Sequence, residues 1–98
     1  MSRIELAPEV GDDFDRILNH LAEHEAPDAE SRIEDIVRAI DVLERNPLIG
    51  RCVRADLREL LIGRRTRAYV ALYRYVTELD TVFVLAIRSQ KEAGYTRA

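Results

Sequence analysis

No stretch of this sequence is apolar for the roughly 20 consecutive residues that a membrane-spanning helix needs. Its start lacks the basic-then-apolar pattern of a signal peptide, so a cytoplasmic protein without membrane contact is expected. A single cysteine, Cys52, excludes an internal disulfide and agrees with a reducing compartment. Between Arg51 and Arg54 it reads as a small buried or half-buried side chain rather than a nucleophile. Histidine is almost as scarce. His20 and His24 stand in the order H-x-x-E-H, the motif of inverted zinc proteases. That chemistry needs a third protein ligand and a cleft between sizeable subdomains, neither of which 98 residues without another histidine supply. Two solvated histidines on a helix flank are the preferred reading, and no metal or other cofactor is expected. Repeats, low-complexity tracts and internal linkers are also missing, so residues 1–98 are read as one domain.

What is present is an ordinary globular balance, 47% hydrophobic and 34% charged, with a net charge of −3 that conceals a strong asymmetry. Residues 1–50 hold 5 Arg against 13 Asp and Glu, a net of −8; residues 51–98 hold 10 Lys and Arg against 5 Asp and Glu, a net of +5. A basic half on an acidic whole argues against general coating of nucleic acid, which rests on many phosphate contacts. A defined acidic partner suits it better.

The apolar pattern organises around two runs, Arg67–Val76 and Thr81–Ser89, rich in β-branched and aromatic residues and separated by a short polar TELD. They read as a β-hairpin. Both alternating faces of the second run are apolar, which makes it a central strand. Upstream, Ser2–Leu6 alternates as a short strand. A helix is expected from Pro8 to about Glu25, with Val10, Phe14, Ile17, Leu18 and Leu21 on one stripe and Glu9, Asp12 and Asp13 favouring its N-terminus. After Pro27-Asp28 a second stripe, Ile33, Ile36, Val37, Ile40 and Leu43, runs to Asn46-Pro47, and the short connection makes the two helices an antiparallel pair. Leu48–Arg54 reads as a loop and Leu57–Ile62 as a strand. The fold class is therefore α+β, in the order β-α-α-β-β-β, with the helical hairpin laid on one face of a mainly antiparallel sheet.

Arg58, Arg64, Arg65, Arg67, Arg74 and Arg88 come from consecutive strands or their turns, which lets several converge on one edge or face. Arginine suits bidentate recognition of carboxylates or phosphates, although pairing with Glu59, Glu78, Asp80 and Glu92 would absorb some of them. Just past the last strand, Arg88, Lys91, Glu92 and Tyr95 are held on a rigid base and form the most plausible site.

The element order, Gly50-Arg51, the RELLIG of Arg58–Gly63, the LYRY of Leu72–Tyr75 and the terminal VLAIRSQKEAGY of Val84–Tyr95 together resemble the RelE/ParE toxin superfamily, with the ending most similar to the ParE branch. The resemblance implies a bacterial toxin of a type II toxin-antitoxin system, encoded beside a ParD-type antitoxin that wraps it, with DNA contacted only indirectly through that antitoxin. In the ParE branch the implied target is DNA gyrase; in the RelE branch it is ribosome-bound mRNA, which is cut. RelE-like nucleases carry an arginine beside a tyrosine like Tyr69, where this chain has Val70, and a second arginine near Ser89. Each missing phosphate-binding donor removes on the order of 3 kcal/mol of transition-state stabilisation. A non-enzymatic toxin is expected, with Arg88, Lys91, Glu92 and Tyr95 as target contacts and Arg58, Arg65, Arg67 and Arg74 as antitoxin contacts. Were it a nuclease, Tyr95 would work with Arg88 or Lys91. A degenerate toxin that keeps only antitoxin binding and operon co-repression is the other alternative.

Overall fold

A computed structural model describes residues 1–24, 26–64, 68–92 and 94–95. Strand β1 (Arg3–Leu6) is followed by helices α1 (Glu9–Glu23) and α2 (Ala29–Asp41), then by strands β2 (Arg51–Arg54), β3 (Leu57–Ile62), β4 (Tyr69–Val76) and β5 (Thr81–Ser89). Among the described residues these strands form one sheet in the order β1-β5-β4-β3-β2. The β1–β5 pair is parallel and the others are antiparallel. The α+β reading holds, as does the placing of both helices over the sheet.

Periodicity explains the helices. In α1, Val10, Ile17 and Leu21 are buried with Phe14 packed beside them, and in α2 Ile36 and Ile40 are buried with Ile33 at their flank. Val37, counted in the same stripe, is 44% exposed and borders a surface groove with Leu6 and Phe14. The α-helix stops at Asp41 and tightens into a 3₁₀ turn, Val42–Glu44, which buries Leu43. Ser2 N–H donates to the Glu44 carbonyl at 2.7 Å, so this turn also fixes the start of β1.

Three features of the sheet differ from expectation. Residues 51–54 form an edge strand rather than a loop, and all four are exposed, Cys52 included. With no buried face, β2 has no alternating pattern to betray it; it exists because β3 offers it a ladder. Second, the middle position belongs to β4, although β5 is interior as expected of a central strand, paired with β4 on one side and β1 on the other. Third, a bulge interrupts β5: Tyr73 pairs with Val84 but Leu72 pairs with Ala86. One extra residue inverts the facing of everything after it. Ile87 consequently joins Val82 and Val84 in the core under the helices, and Arg88 turns to the opposite face. The hairpin begins at Tyr69, while Arg65 and Arg67 lie outside the described residues.

Gly50 shows why the approach to β2 takes a glycine. Its N–H donates to the Tyr73 hydroxyl at 2.8 Å, and a Cβ would lie 2.6 Å from two Tyr73 side-chain atoms and 2.8 Å from the Glu59 carbonyl oxygen. Tyr73 is fully buried and cannot retreat. Gly50→Ala is expected to cost about 1–3 kcal/mol by overpacking, read as a lower urea midpoint at unchanged m-value; an unchanged midpoint would contradict the close approach.

Candidate functional site

The site is built outward from the bulge in β5. Beyond it the strand runs on after its neighbour β1 has ended, the last contact being the Ala7 N–H on the Val84 carbonyl at 2.9 Å. Ile87 therefore needs partners for its backbone in a buried position, where an unmade hydrogen bond costs about 1–3 kcal/mol. Helix α1 supplies them. The Asp13 carboxylate accepts the Ile87 N–H at 3.0 Å, and the Arg16 guanidinium donates to the Ile87 carbonyl at 2.9 Å. Arg16 also pairs with Asp13 at 2.7 Å and with Glu92 at 2.9 Å. Glu92 in turn accepts the Ser89 N–H at 2.6 Å. Burial opposes the charge of Arg16, but its bonds to Asp13 and Glu92 outweigh that and raise its pKa. Asp13, 1% exposed, is thus an integral part of the core rather than a solvated helix-start charge. Its position was a signal in itself, three residues after Val10 and four before Ile17 on the apolar stripe.

On the other face of the sheet, Arg88 and Tyr95 come together. The Arg88 guanidinium sits 4.9 Å from the centre of the Tyr95 ring. One of its nitrogens donates to the carbonyls of Ser89, Gln90 and Glu92, pinning the C-terminal turn. The Tyr95 hydroxyl donates to Glu59 on β3 at 2.7 Å, and Glu59 also pairs with Arg51 of β2 at 3.1 Å and, more loosely, with Arg88 at 3.9 Å. Burial alone would raise the pKa of Glu59; the bonds from Tyr95 and Arg51 and the charges of Arg88 and Arg51 prevail and lower it. Burial, the bond to Glu59 and its negative charge push the Tyr95 phenol well above its ordinary value of 10.0, against the opposing charge of Arg88.

The remaining expected residues are dispersed. Lys91 is exposed and forms no ion pair among the described residues, whereas the Glu92 side chain is engaged by Arg16. Arg58 lies in register with core-facing Tyr73 and donates to the carbonyls of Leu48 and Gly50, which gives it a framework role. Arg74, on the opposite face, pairs with Asp56 at 2.9 Å. These arginines do not share one face. His20 and His24 are exposed and their rings are 4.2 Å apart, beside a cleft of about 740 Å³ between the end of α1 and the C-terminal turn. Among the described residues no group of three or more His, Cys, Asp or Glu is placed to hold a metal ion.

With this geometry in place, comparison with known proteins is informative. The profile of the ParE toxin of the type II toxin-antitoxin system parDE matches residues 4–94. The chain belongs to the ParE toxin family. Among solved structures, this ParE-family fold is similar to the chromosomal ParDE TA system from P. aeruginosa, at 22% identity and a TM-score of 0.74, covering 91% of this chain and 96% of that one. It is also similar to the intact E. coli RelBE toxin-antitoxin complex, at 12% identity and a TM-score of 0.62, covering 94% and 100%. By sequence alone, no curated protein matches.

Two outcomes test this site. Asp13→Ala strands the Ile87 N–H and removes a buried carboxylate from Arg16, so a loss of about 3–5 kcal/mol in denaturant unfolding is expected; a loss below 1 kcal/mol would show that the clasp is dispensable. Because the Glu59 pKa is lowered on folding, its contribution is fully present above the unfolded value near 4.5 and is lost as pH falls through the folded value. Stability measured from pH 7 to pH 3 should therefore decline less steeply in Glu59→Gln than in the parent chain, and parallel curves would refute the role given to this carboxylate.

Proposed function

We propose that this ParE-family chain is a non-enzymatic toxin that poisons DNA gyrase by docking on it and is neutralised by a ParD-type antitoxin encoded beside it. Residues 1–98 act in this reading as one cytoplasmic domain, and DNA is met only through the antitoxin. The observation that carries the reading is Glu59. A carboxylate held ionised between Arg51, Arg88 and Tyr95 offsets the cations around that phenol, and its charge repels a phosphate. The phenol bonded to it has a raised pKa and is a poor proton acceptor from a 2′-hydroxyl. Val70, where a nuclease of the RelE branch would place an arginine, pairs with Arg88 inside the sheet.

Lys91 and the outer surface of the Arg88–Tyr95 turn are the proposed target contacts, since Lys91 is exposed beside a turn that Arg16, Arg88 and Glu92 hold rigid. For the antitoxin, the β2 end of the sheet combines exposed Leu48, Ile49 and Val53 with Arg51 and Arg54, a surface matched to an acidic amphipathic segment. The other apolar groove, about 500 Å³ against Leu6, Phe14 and Val37, is bordered by Asp41 and Glu44 and suits such a segment less well. Arg74, paired with Asp56 in the β2–β3 connection, borders this end of the sheet, and Arg65 and Arg67 belong to the same proposal by sequence position.

Purified protein is expected to abolish gyrase supercoiling in a dose-dependent manner, with activity restored by the cognate antitoxin. Lys91→Glu should weaken inhibition by about tenfold while leaving antitoxin binding unchanged. Unaltered supercoiling at large excess, together with new 5′ ends on translated transcripts, would replace this reading with the endonuclease one.

A further inference from the structure

The cluster on the open face of the sheet has more donors than its one carboxylate serves. Glu59 Oε1 is taken by Arg51 and Oε2 by the Tyr95 hydroxyl. Arg88 reaches Oε2 only at 3.9 Å, too far for a hydrogen bond, and its buried Nε has no hydrogen-bond partner among the described residues. Leaving such a donor unsatisfied is costly, and native structures rarely do so without a reason. The charges are unbalanced too, with two guanidinium groups facing one carboxylate. Beneath them Val70, Leu72 and Ala86 are buried and exclude water, which strengthens any ion held there. A carboxylate offers two oxygens to this arrangement, whereas a phosphate offers at least one more, within a tetrahedron that Arg88 could share.

We propose that Arg51, Arg88 and Tyr95 form a latent phosphate-binding site that the chain's own Glu59 occupies and keeps closed. Glu59 is then the residue that decides specificity on this face. Its carboxylate stands between Arg51 and Arg88 and keeps phosphate oxygens off them. Arg88 is already fixed by three backbone carbonyls, so the site is organised before any anion arrives. The inference stands whether or not gyrase is the target, because it concerns which anion this face admits.

Titration with inorganic phosphate, followed by NMR, tests it. The parent chain is expected to show no saturable response, and Glu59→Ala to bind phosphate at least about tenfold more tightly, the gain disappearing when Arg88→Ala is added. Glu59→Asp, which shortens the side chain but keeps its charge, should remain closed. A 2′-O-methyl trinucleotide used in parallel separates the sources: binding of both ligands assigns the opened site to a phosphodiester, and binding of phosphate alone to a free phosphate or monoester. Should Glu59→Ala not fold, Glu59→Gln keeps the Tyr95 bond and must still bind phosphate more tightly than the parent. Glu59→Ala that is folded by circular dichroism yet responds as the parent does, or a Glu59→Asp that binds as well as it, would overturn the proposal.

Discussion

Strand β1 is too short for its neighbour, and much of the molecule answers to that mismatch. Where β1 stops, the N–H and C=O of Ile87 are left facing helix α1 in a place that water does not reach, and Asp13 and Arg16 take up the pairing that a longer strand would have provided. A charged pair this deeply placed is favourable only if each charge is fully matched. The matching extends through Arg16 to Glu92 and so ties down the turn that follows β5. Helix position, strand end and C-terminal turn are in this way parts of one hydrogen-bonded unit.

The same turn carries the chain across to the other face of the sheet, where Tyr95 meets Glu59 and Arg88. Two ionic clusters thus lie back to back across β5. The inner one is saturated and structural. The outer one is not, since among the described residues one Arg88 donor has no acceptor and its nearest carboxylate stands at 3.9 Å. That contrast sets the two faces of β5 apart.

Most of the framework was legible in the sequence because burial imposes a period. Val10, Ile17 and Leu21 announce α1, Ile36 and Ile40 announce α2, and β3 occupies the span predicted from Leu57–Ile62. Strand β2 was illegible because all four of its residues are exposed, which leaves no alternation to read. Arg88 and Tyr95 could be named together from their shared place at the end of the last strand, but Glu59 entered only as one of four acidic residues able to neutralise an arginine. Its selection depends on register, Glu59 opposite Leu72 and Leu72 opposite Ala86, and the bulge determines which residues of β5 share that face.

By itself, the sequence determined the α+β class, the helical hairpin, the antiparallel strands of the second half and the separation of acidic and basic halves, because each of these follows from local period or from simple charge counts. Tertiary structure alone decided which way Arg88 points, that Asp13 is buried, and which carboxylate meets Tyr95. Those outcomes turn on one extra residue in β5 and on the early end of β1, features that invert or complete a ladder over distances of more than 30 residues along the chain and leave no mark on the local pattern.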